Sequence, residues 1–343
     1  MEQQSLIMQE VKTIIISRTD SIGDVVLTLP AAHVLKEKFP GCKTIFLGKS
    51  YTKPVVECCS SIDEIVCWDE IAQLDKHKQI EFFLSLQADC IIHVFPNKQI
   101  AVSAKKAGIP VRIGTSHRLF HWFTCNKLPN FTRKNSKLHE AQLNLKLLQP
   151  LGIDKEFSLN EIDRCFDLTK VKPLGSELKA LIDPNRMNII LHPKSRGSTV
   201  EWGLQNFSAL GKILPKDKFK IFITGTKQEG ELIGNIFSED QNITNMTGRL
   251  TLDELISFVN NCDAMVAAST GPLHLASVLG KKAVGMYSPV RPIHPGRWAP
   301  LGKDVSVLVS KKSCANCGKG RNCDCLTSVT PQEVAAVLMK ELK

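Results

Sequence analysis

Ser269-Thr270-Gly271-Pro272-Leu273-His274-Leu275-Ala276 has the residue types and the setting of an anion site. An apolar run, Ala264 to Ala268, precedes it and reads as a buried parallel strand; His274 to Gly280 follows with the apolar spacing of a helix and a glycine that suits its end. A helix start offers unpaired N–H groups and the positive end of a dipole, and Gly271 lets a phosphate come close to the backbone. Pro272 fits the first helical turn, where its missing N–H is not needed. The same octet also suits an ordinary strand-to-helix turn. A second candidate is the loop His192-Pro-Lys194-Ser195-Arg196-Gly197-Ser198-Thr199-Val200-Glu201-Trp202, whose two cations and three hydroxyls fit either a phosphate cradle or a mobile basic loop. It has no Walker A pattern, and the chain has no Gly-x-Gly-x-x-Gly fingerprint.

Gly23-Asp24 lies where the loop after the first strand meets a helix, with Asp20 in the same loop. Ligands of open α/β sheets bind at such strand ends. A carboxylate there serves either as a general base or as an acid in the first helical turn. Near the C-terminus, Cys314, Cys317, Cys323 and Cys325 have the number of thiolates that closes a tetrahedral Zn²⁺ site, with Lys311, Lys312, Lys319 and Arg321 around them. The Cys-x-Cys half is tighter than usual, so free or redox-active thiols are the alternative.

Strands and helices in alternation must position these groups. The pattern predicts strands at Lys12–Ser17, Lys43–Leu47, Asp89–Phe95 and Val111–Gly114, with a helix over Asp24–Lys38 that Pro30 kinks and another over Leu138–Leu148. Periodicity weakens from Asp154 to Arg186. A second set follows: strands at Asn188–His192, Lys220–Thr224, Ala264–Ala268 and Ala283–Tyr287, and helices from Lys227 and over Leu252–Asn260. This alternation implies α/β architecture with parallel, doubly wound sheets. At 343 residues the chain exceeds one comfortable core. We expect a first domain over 1–165, an interdomain segment over 166–186, a second domain over 187–328 and a C-terminal helix over 329–343 that packs back on the first domain.

Charge and cysteine usage narrow the classes. The net charge is +10, and between Asn97 and Lys146 ten Lys and Arg stand against one acid, Glu140. Phe120, Trp122, Phe123 and Phe131 lie among these cations. Such a segment is either a solvated face or a surface for an anionic partner: a phosphorylated lipid, an acidic membrane or a nucleic acid. No nucleic-acid-binding motif accompanies it, so nucleic acid is the least favoured partner. Residues 1–10 hold no long apolar run and no stretch approaches the roughly 20 apolar residues of a membrane span, so neither a cleaved signal nor an anchor is expected. Most of the twelve cysteines are scattered singly in apolar runs, as at Cys90, Cys165 and Cys262, which fits a reducing, cytoplasmic compartment.

Taken together, Arg18-Thr-Asp-Ser-Ile-Gly-Asp-Val-Val-Leu-Thr-Leu-Pro30, Arg112-Ile113-Gly114, His139 with its helix to Leu151-Gly152, Trp202 with Asn206-Phe207, and Thr251 to Ala276 resemble the lipopolysaccharide heptosyltransferases that use ADP-heptose, glycosyltransferase family 9. The resemblance covers nearly the whole chain. It implies a GT-B fold, two Rossmann-like domains facing a cleft, and inverting transfer of a sugar from a nucleotide donor to a lipid-linked saccharide. It assigns Asp24 as the general base. The donor is expected at Ser269, Thr270, Gly271, Pro272, Leu273 and His274, with Lys194, Ser195 and Arg196 of the basic loop supplying phosphate contacts, and the acceptor at Arg18, Ser21, Gly23, Lys98 and Arg118. Catalysis requires no cofactor on this reading; a structural zinc is the only metal expected. The acceptor's anionic membrane gives the basic segment a role, with the protein cytoplasmic and peripheral on the inner membrane. The chain departs from the pattern at Ser269, where many members have Asp, and at Val200, where some have Lys. The alternatives are a nucleotide-sugar epimerase on the same scaffold and a nucleic-acid-binding protein using residues 97–146.

Overall fold

A computed structural model describes residues 11–134, 136–195, 200–238, 240–312 and 325–340. The chain divides into two compact units between Lys170 and Val171, within the expected interdomain segment. Each unit is a parallel sheet with helical connections.

In the first unit, β1 (Thr13–Ser17), β2 (Lys43–Gly48), β3 (Glu64–Cys67), β4 (Cys90–His93) and β5 (Val111–Ile113) form a sheet in the order β3-β2-β1-β4-β5. In the second, β6 (Met187–His192), β7 (Phe219–Ile223), β8 (Ile243–Asn245), β9 (Ala264–Ala268), β10 (Lys282–Tyr287) and β11 (Val305–Val309) run β11-β10-β9-β6-β7-β8. Read from each unit's first strand, both orders are doubly wound: the chain goes out one way, returns, and continues the other way. The order reverses beside β1 and β4 in one unit and beside β6 and β9 in the other. A crevice opens at the carboxyl ends of the strands at such a point.

Central strands read as continuous apolar runs because helices cover both faces. Ile14, Ile15 and Ile16 of β1 and all five residues of β9 are buried. In the first unit Ile15, Ile45, Leu47 and Ile91 pack with Trp68 and Phe83. In the second, one face joins Leu191, Val266 and Met286 to Trp202 and Phe207, and the other joins Met265, Leu273 and Tyr287 to Phe222 and Phe258. Strands β3, β8 and β11 escape the sequence pattern. They are edge strands of three to five residues whose side chains are mostly half-buried.

Two expectations are corrected. The helix drawn over Asp24–Lys38 is two helices, Ile22–Val26 and Pro30–Lys38. Pro30 has no N–H to give back to Val26, so the first helix ends in a tight turn and Pro30 opens the second. The C-terminal helix, Pro331–Met339, buries Val334, Ala335 and Leu338 in the second unit's own core, against the helix Leu204–Ile213. Thr330 and Glu333 close a capping box at its start. The segment before it is held by the fully buried Trp202, whose indole N–H donates to the Val329 carbonyl at 2.7 Å.

Replacing Trp202 by Ala removes that bond and a large fully buried ring. Urea unfolding followed by circular dichroism should show a loss of about 3–5 kcal/mol. A loss below about 1 kcal/mol would mean that the Pro331–Met339 helix is held by other contacts.

Candidate active site

The loop after β1 carries the densest group of charges. Arg18 is 3 % exposed and its guanidinium serves three carboxylates. Its Nε donates to Asp20 Oδ1 at 2.6 Å, one terminal nitrogen donates to Asp24 Oδ1, and the other reaches Glu140 Oε1 at 3.4 Å and Asn144 Oδ1 at 3.3 Å. Arg133 adds a second guanidinium, which donates to Glu140 and, at 3.1 Å, to Asn144 Oδ1. Glu140 and Asn144 stand on the helix Glu140–Lys146, with Glu140 in the first turn, where a negative charge suits the helix dipole. Asn144 Nδ2 then donates to the Leu27 carbonyl at 2.9 Å and to Thr28 Oγ1 at 3.2 Å, tying this helix to the turn that Pro30 creates.

Asp24 is the partly open member of the group, its side chain 18 % exposed. It sits in the first turn of a five-residue helix, yet its carboxylate accepts from the Arg18 guanidinium and the Ser21 hydroxyl, not from backbone N–H groups. The capping alternative is therefore not what holds it. Burial would lower the pKa of Arg18, but Asp20, Asp24 and Glu140 overcome it and hold the guanidinium firmly charged. Burial raises Asp20 to about 6 against the pull of Arg18, with Asp24 adding repulsion. Two guanidiniums shared among three carboxylates leave one negative charge in excess, so one carboxyl keeps its proton readily.

Of the residues expected at the acceptor, Ser21, Lys98 and Arg118 are exposed and Gly23 is buried in its helix. Arg18 is enclosed, with its donors spent on protein carboxylates. It positions Asp24 and does not present its guanidinium to a ligand. Glu140, Asn144 and Arg133 were missed as members of this group. The signal for Glu140 was its solitude: the only acid among ten cations is the one with counter-ions inside. His93, at the end of β4 beside Ser17 of β1, was missed as well. It is 1 % exposed, and burial, with His121 and Arg112 nearby, drives its imidazole down to about 3. The neighbouring Gly114 is required by close approach, since a Cβ there would lie 2.6 Å from the His121 ring.

In the second unit the octet lies at the carboxyl end of β9 and opens the helix Gly271–Val278. Thr270 is the residue before that helix but makes no cap bond; its Oγ1 is buried and has no hydrogen-bond partner among the described residues. Pro272 and His274 are buried in the helix. Leu273, expected at the donor, belongs to the core with Phe222 and Tyr287. Ser269 lies one residue beyond β9, and the register of β9 with β10 sets it beside the buried Tyr287. In the loop after β6, Lys194 pairs with Glu201, whose other oxygen accepts from the Ser195 N–H at 3.3 Å. Lys194 is thus half of an ion pair beside β9, the next strand in the sheet. Arg196 lies outside the described residues, as do Cys314, Cys317 and Cys323 of the expected zinc site; Cys325 is buried. Among the described residues no three metal-binding side chains converge, and the nine described cysteines are buried.

Residues 87–325 match glycosyltransferase family 9 (heptosyltransferase), and the chain belongs to that family and is a glycosyltransferase. It is 25 % identical over 301 residues to a Haemophilus influenzae protein named provisionally as a glycosyltransferase, covering 84 % of this chain and 86 % of that one. A family 9 glycosyl transferase from Veillonella parvula superposes with a TM-score of 0.72 at 19 % identity, over 96 % of this chain and 97 % of that one. The Escherichia coli ADP-heptose lipopolysaccharide heptosyltransferase II superposes with a TM-score of 0.70 at 18 % identity, over 97 % and 100 %. The two Rossmann-like units are those of the GT-B fold.

Replacing Arg18 by Met would leave three carboxylates around an apolar side chain. Stability at pH 7 should fall by about 3–5 kcal/mol. The deficit should shrink on acidification. Asp20 is raised to about 6 by burial even with Arg18 beside it and rises further without it, so it binds its proton more tightly folded than unfolded; its contribution is full below about pH 4 and is lost as pH rises through its folded value. Urea unfolding at a series of pH values tests this; a deficit that grows towards acid would overturn it.

Proposed function

We propose that this protein is an inverting transferase that moves heptose from ADP-heptose onto a lipopolysaccharide core or a related lipid-linked saccharide. Family membership supports the transfer, and the names of the relatives support the sugar and the acceptor class. The observation that carries the mechanism is the support of Asp24: one oxygen on Arg18, the other on Ser21, at the carboxyl end of β1, with part of the carboxylate open. Such a group is fixed in direction and still able to accept one more hydrogen bond.

In this reading the acceptor hydroxyl gives its proton to Asp24 as its oxygen bonds to the anomeric carbon. The bond from that carbon to the diphosphate oxygen breaks, and ADP departs with the electron pair. Thr270, Gly271 and the start of the helix Gly271–Val278 stabilise the departing phosphates, with Lys194 and Ser195 on the neighbouring strand end. No cofactor takes part. Ser269, in place of the more usual Asp, has no carboxylate to offer a sugar hydroxyl.

The acceptor is bound at an anionic membrane surface, on the cytoplasmic face of the inner membrane. No helix among the described residues is long and apolar enough to cross a membrane. The short helix Leu119–Thr124 instead leaves Leu119 78 %, Trp122 60 % and Phe123 67 % exposed. Soluble surfaces scatter such residues singly; three within six residues suit an interface. Exposed Lys98, Lys105, Lys106, Arg118, Lys134 and Lys137 accompany them in the sequence. Aromatic side chains among cations fit the headgroup layer of anionic lipid, and this also favours a membrane over nucleic acid.

Asp24→Asn keeps the shape and removes the base. The rate of transfer should fall about 10²–10⁴-fold while ADP binding stays within a factor of two or so. Turnover near the normal value, or donor consumption without any acceptor, would overturn the reading. A second test uses vesicles. The protein should cosediment with phosphatidylglycerol vesicles and not with phosphatidylcholine ones, less so at high salt, and Trp122→Ser with Phe123→Ser should abolish it. Binding indifferent to both changes would remove the membrane role of this helix.

A further inference from the structure

Two aromatic side chains flank the loop that carries Asp24, and nothing assigned so far uses them. β2 and β4 are the neighbours of β1 in the sheet. Tyr51 lies three residues past the carboxyl end of β2, and Phe95 lies two residues past that of β4. Neighbouring strands stand about 4.8 Å apart, so these two strand ends straddle β1 at a separation of roughly 10 Å. Trp68 and Phe83 of the same unit are buried in its core, whereas Tyr51 is 43 % and Phe95 37 % exposed.

Lone exposed aromatics are ordinary on a soluble surface. These two differ in how they are held. The Tyr51 hydroxyl donates to the Asp20 carbonyl at 2.5 Å, which ties the far end of the ring to the loop after β1. Its neighbours are fastened as well: the Ser50 N–H donates to Asp69 Oδ1 at 2.9 Å and the Thr52 N–H to the Lys49 carbonyl at 3.0 Å. On the other flank the Phe95 N–H donates to the Ser17 carbonyl at 3.1 Å, and the Val94 carbonyl accepts from Arg133 at 3.4 Å. Arg133 shares Glu140 and Asn144 with Arg18, and Arg18 holds both Asp20 and Asp24. Both aromatic residues are therefore bonded into the network that aims Asp24. The core has no use for a pinned ring with so much of its surface in water; a ligand lying across Asp24 does.

The geometry points to Tyr51 and Phe95 as the walls of the acceptor site, each packing its ring against the C–H face of the acceptor saccharide, on either side of the hydroxyl that Asp24 deprotonates. A sugar ring carries hydroxyls around its edge and C–H groups on its faces. The face of an aromatic ring is the negative part of its quadrupole and attracts such hydrogens. Ligand sites commonly combine apolar walls with a few placed polar groups, and here the placed group is the Asp24 carboxylate. Rings already held by the protein also lower the ordering cost of binding. The inference rests on sugar transfer with Asp24 as the base, and it concerns the saccharide of the acceptor, not its lipid and not the donor.

The experiment is steady-state transfer by the full chain from ADP-heptose to a deacylated lipopolysaccharide core oligosaccharide, which keeps the sugars and removes the acyl chains. Tyr51→Leu and Phe95→Leu keep apolar bulk and remove the aromatic face. Each should raise KM for the oligosaccharide about three- to tenfold, and the double variant by about the product, with kcat and the KM for ADP-heptose within twofold of wild type. Tyr51→Phe and Phe95→Tyr should restore most of the loss, since each keeps a ring. A double Leu variant within twofold of wild type overturns the walls and leaves the transferase reading intact. So does Tyr51→Phe as damaging as Tyr51→Leu, which would assign Tyr51 to holding the Asp20 loop through its hydroxyl. A fall in kcat at unchanged KM, or a rise in KM for ADP-heptose, also overturns them, the first by making the rings supports of Asp24 and the second by moving them to the donor. Wild-type protein that transfers nothing from ADP-heptose to the oligosaccharide overturns the reading of donor and acceptor, and the walls with it.

Discussion

One guanidinium, that of Arg18, is shared among Asp20, Asp24 and Glu140 where water hardly reaches. Most of the first unit's site follows from satisfying it. A buried cation is tolerable only with partners, and partners this close must come from fixed elements. The loop after β1 supplies two carboxylates and the helix Glu140–Lys146 supplies the third, together with Asn144. Asn144 in turn holds the turn at Leu27 and Thr28, so the loop, the turn and the helix form one hydrogen-bonded unit. Asp24 is aimed by this network. The guanidinium that first reads as a ligand contact is the reason the carboxylate points in one direction.

The same logic divides the basic segment. Ten cations between Asn97 and Lys146 look alike in the sequence, but three have internal duties. Arg133 neutralises Glu140, Arg112 donates to the Thr124 carbonyl at 2.8 Å, and Lys105 donates to the Phe123 carbonyl at 2.7 Å. The latter two fasten the C-terminal end of a short helix that shows Leu119, Trp122 and Phe123 to solvent. The fold thus uses part of the charge to display an apolar wedge and leaves the rest on the surface.

In the second unit the sites lie along one edge of the sheet. The loops after β6, β9 and β10 leave three adjacent strands at their carboxyl ends. Packing decides how closely they can stand. Gly285 in β10 is one instance: a Cβ there would meet the Tyr287 ring at 2.7 Å and Leu273 at 2.8 Å. With glycine at this position the helix Gly271–Val278 settles onto the strand, and the Tyr287 hydroxyl donates to the Trp298 carbonyl at 2.8 Å.

Much of the architecture was legible in the sequence because parallel sheets covered on both faces write continuous apolar runs, as in Ile14–Ile16 and Ala264–Ala268. The alternation of strands and helices, the anion-binding character of the octet and the family resemblance all follow from local order. Edge strands β3, β8 and β11 were not read from the sequence: β3 and β8 are only four and three residues long, and Ser306 interrupts the apolar residues of β11. Pro30 showed that a helix is disturbed but not whether it kinks or ends; the choice depended on the turn that Asn144 stabilises. Distant partners were hidden for the same reason. Glu140 is 122 residues from Arg18, and Val329 is 127 from Trp202, separations at which nothing in the local sequence marks a pair. The residue types capable of chemistry are a property of the chain, whereas their assignment to structure or to ligand is a property of burial. That is why Arg18 turned inward to support Asp24 and Leu273 joined the core.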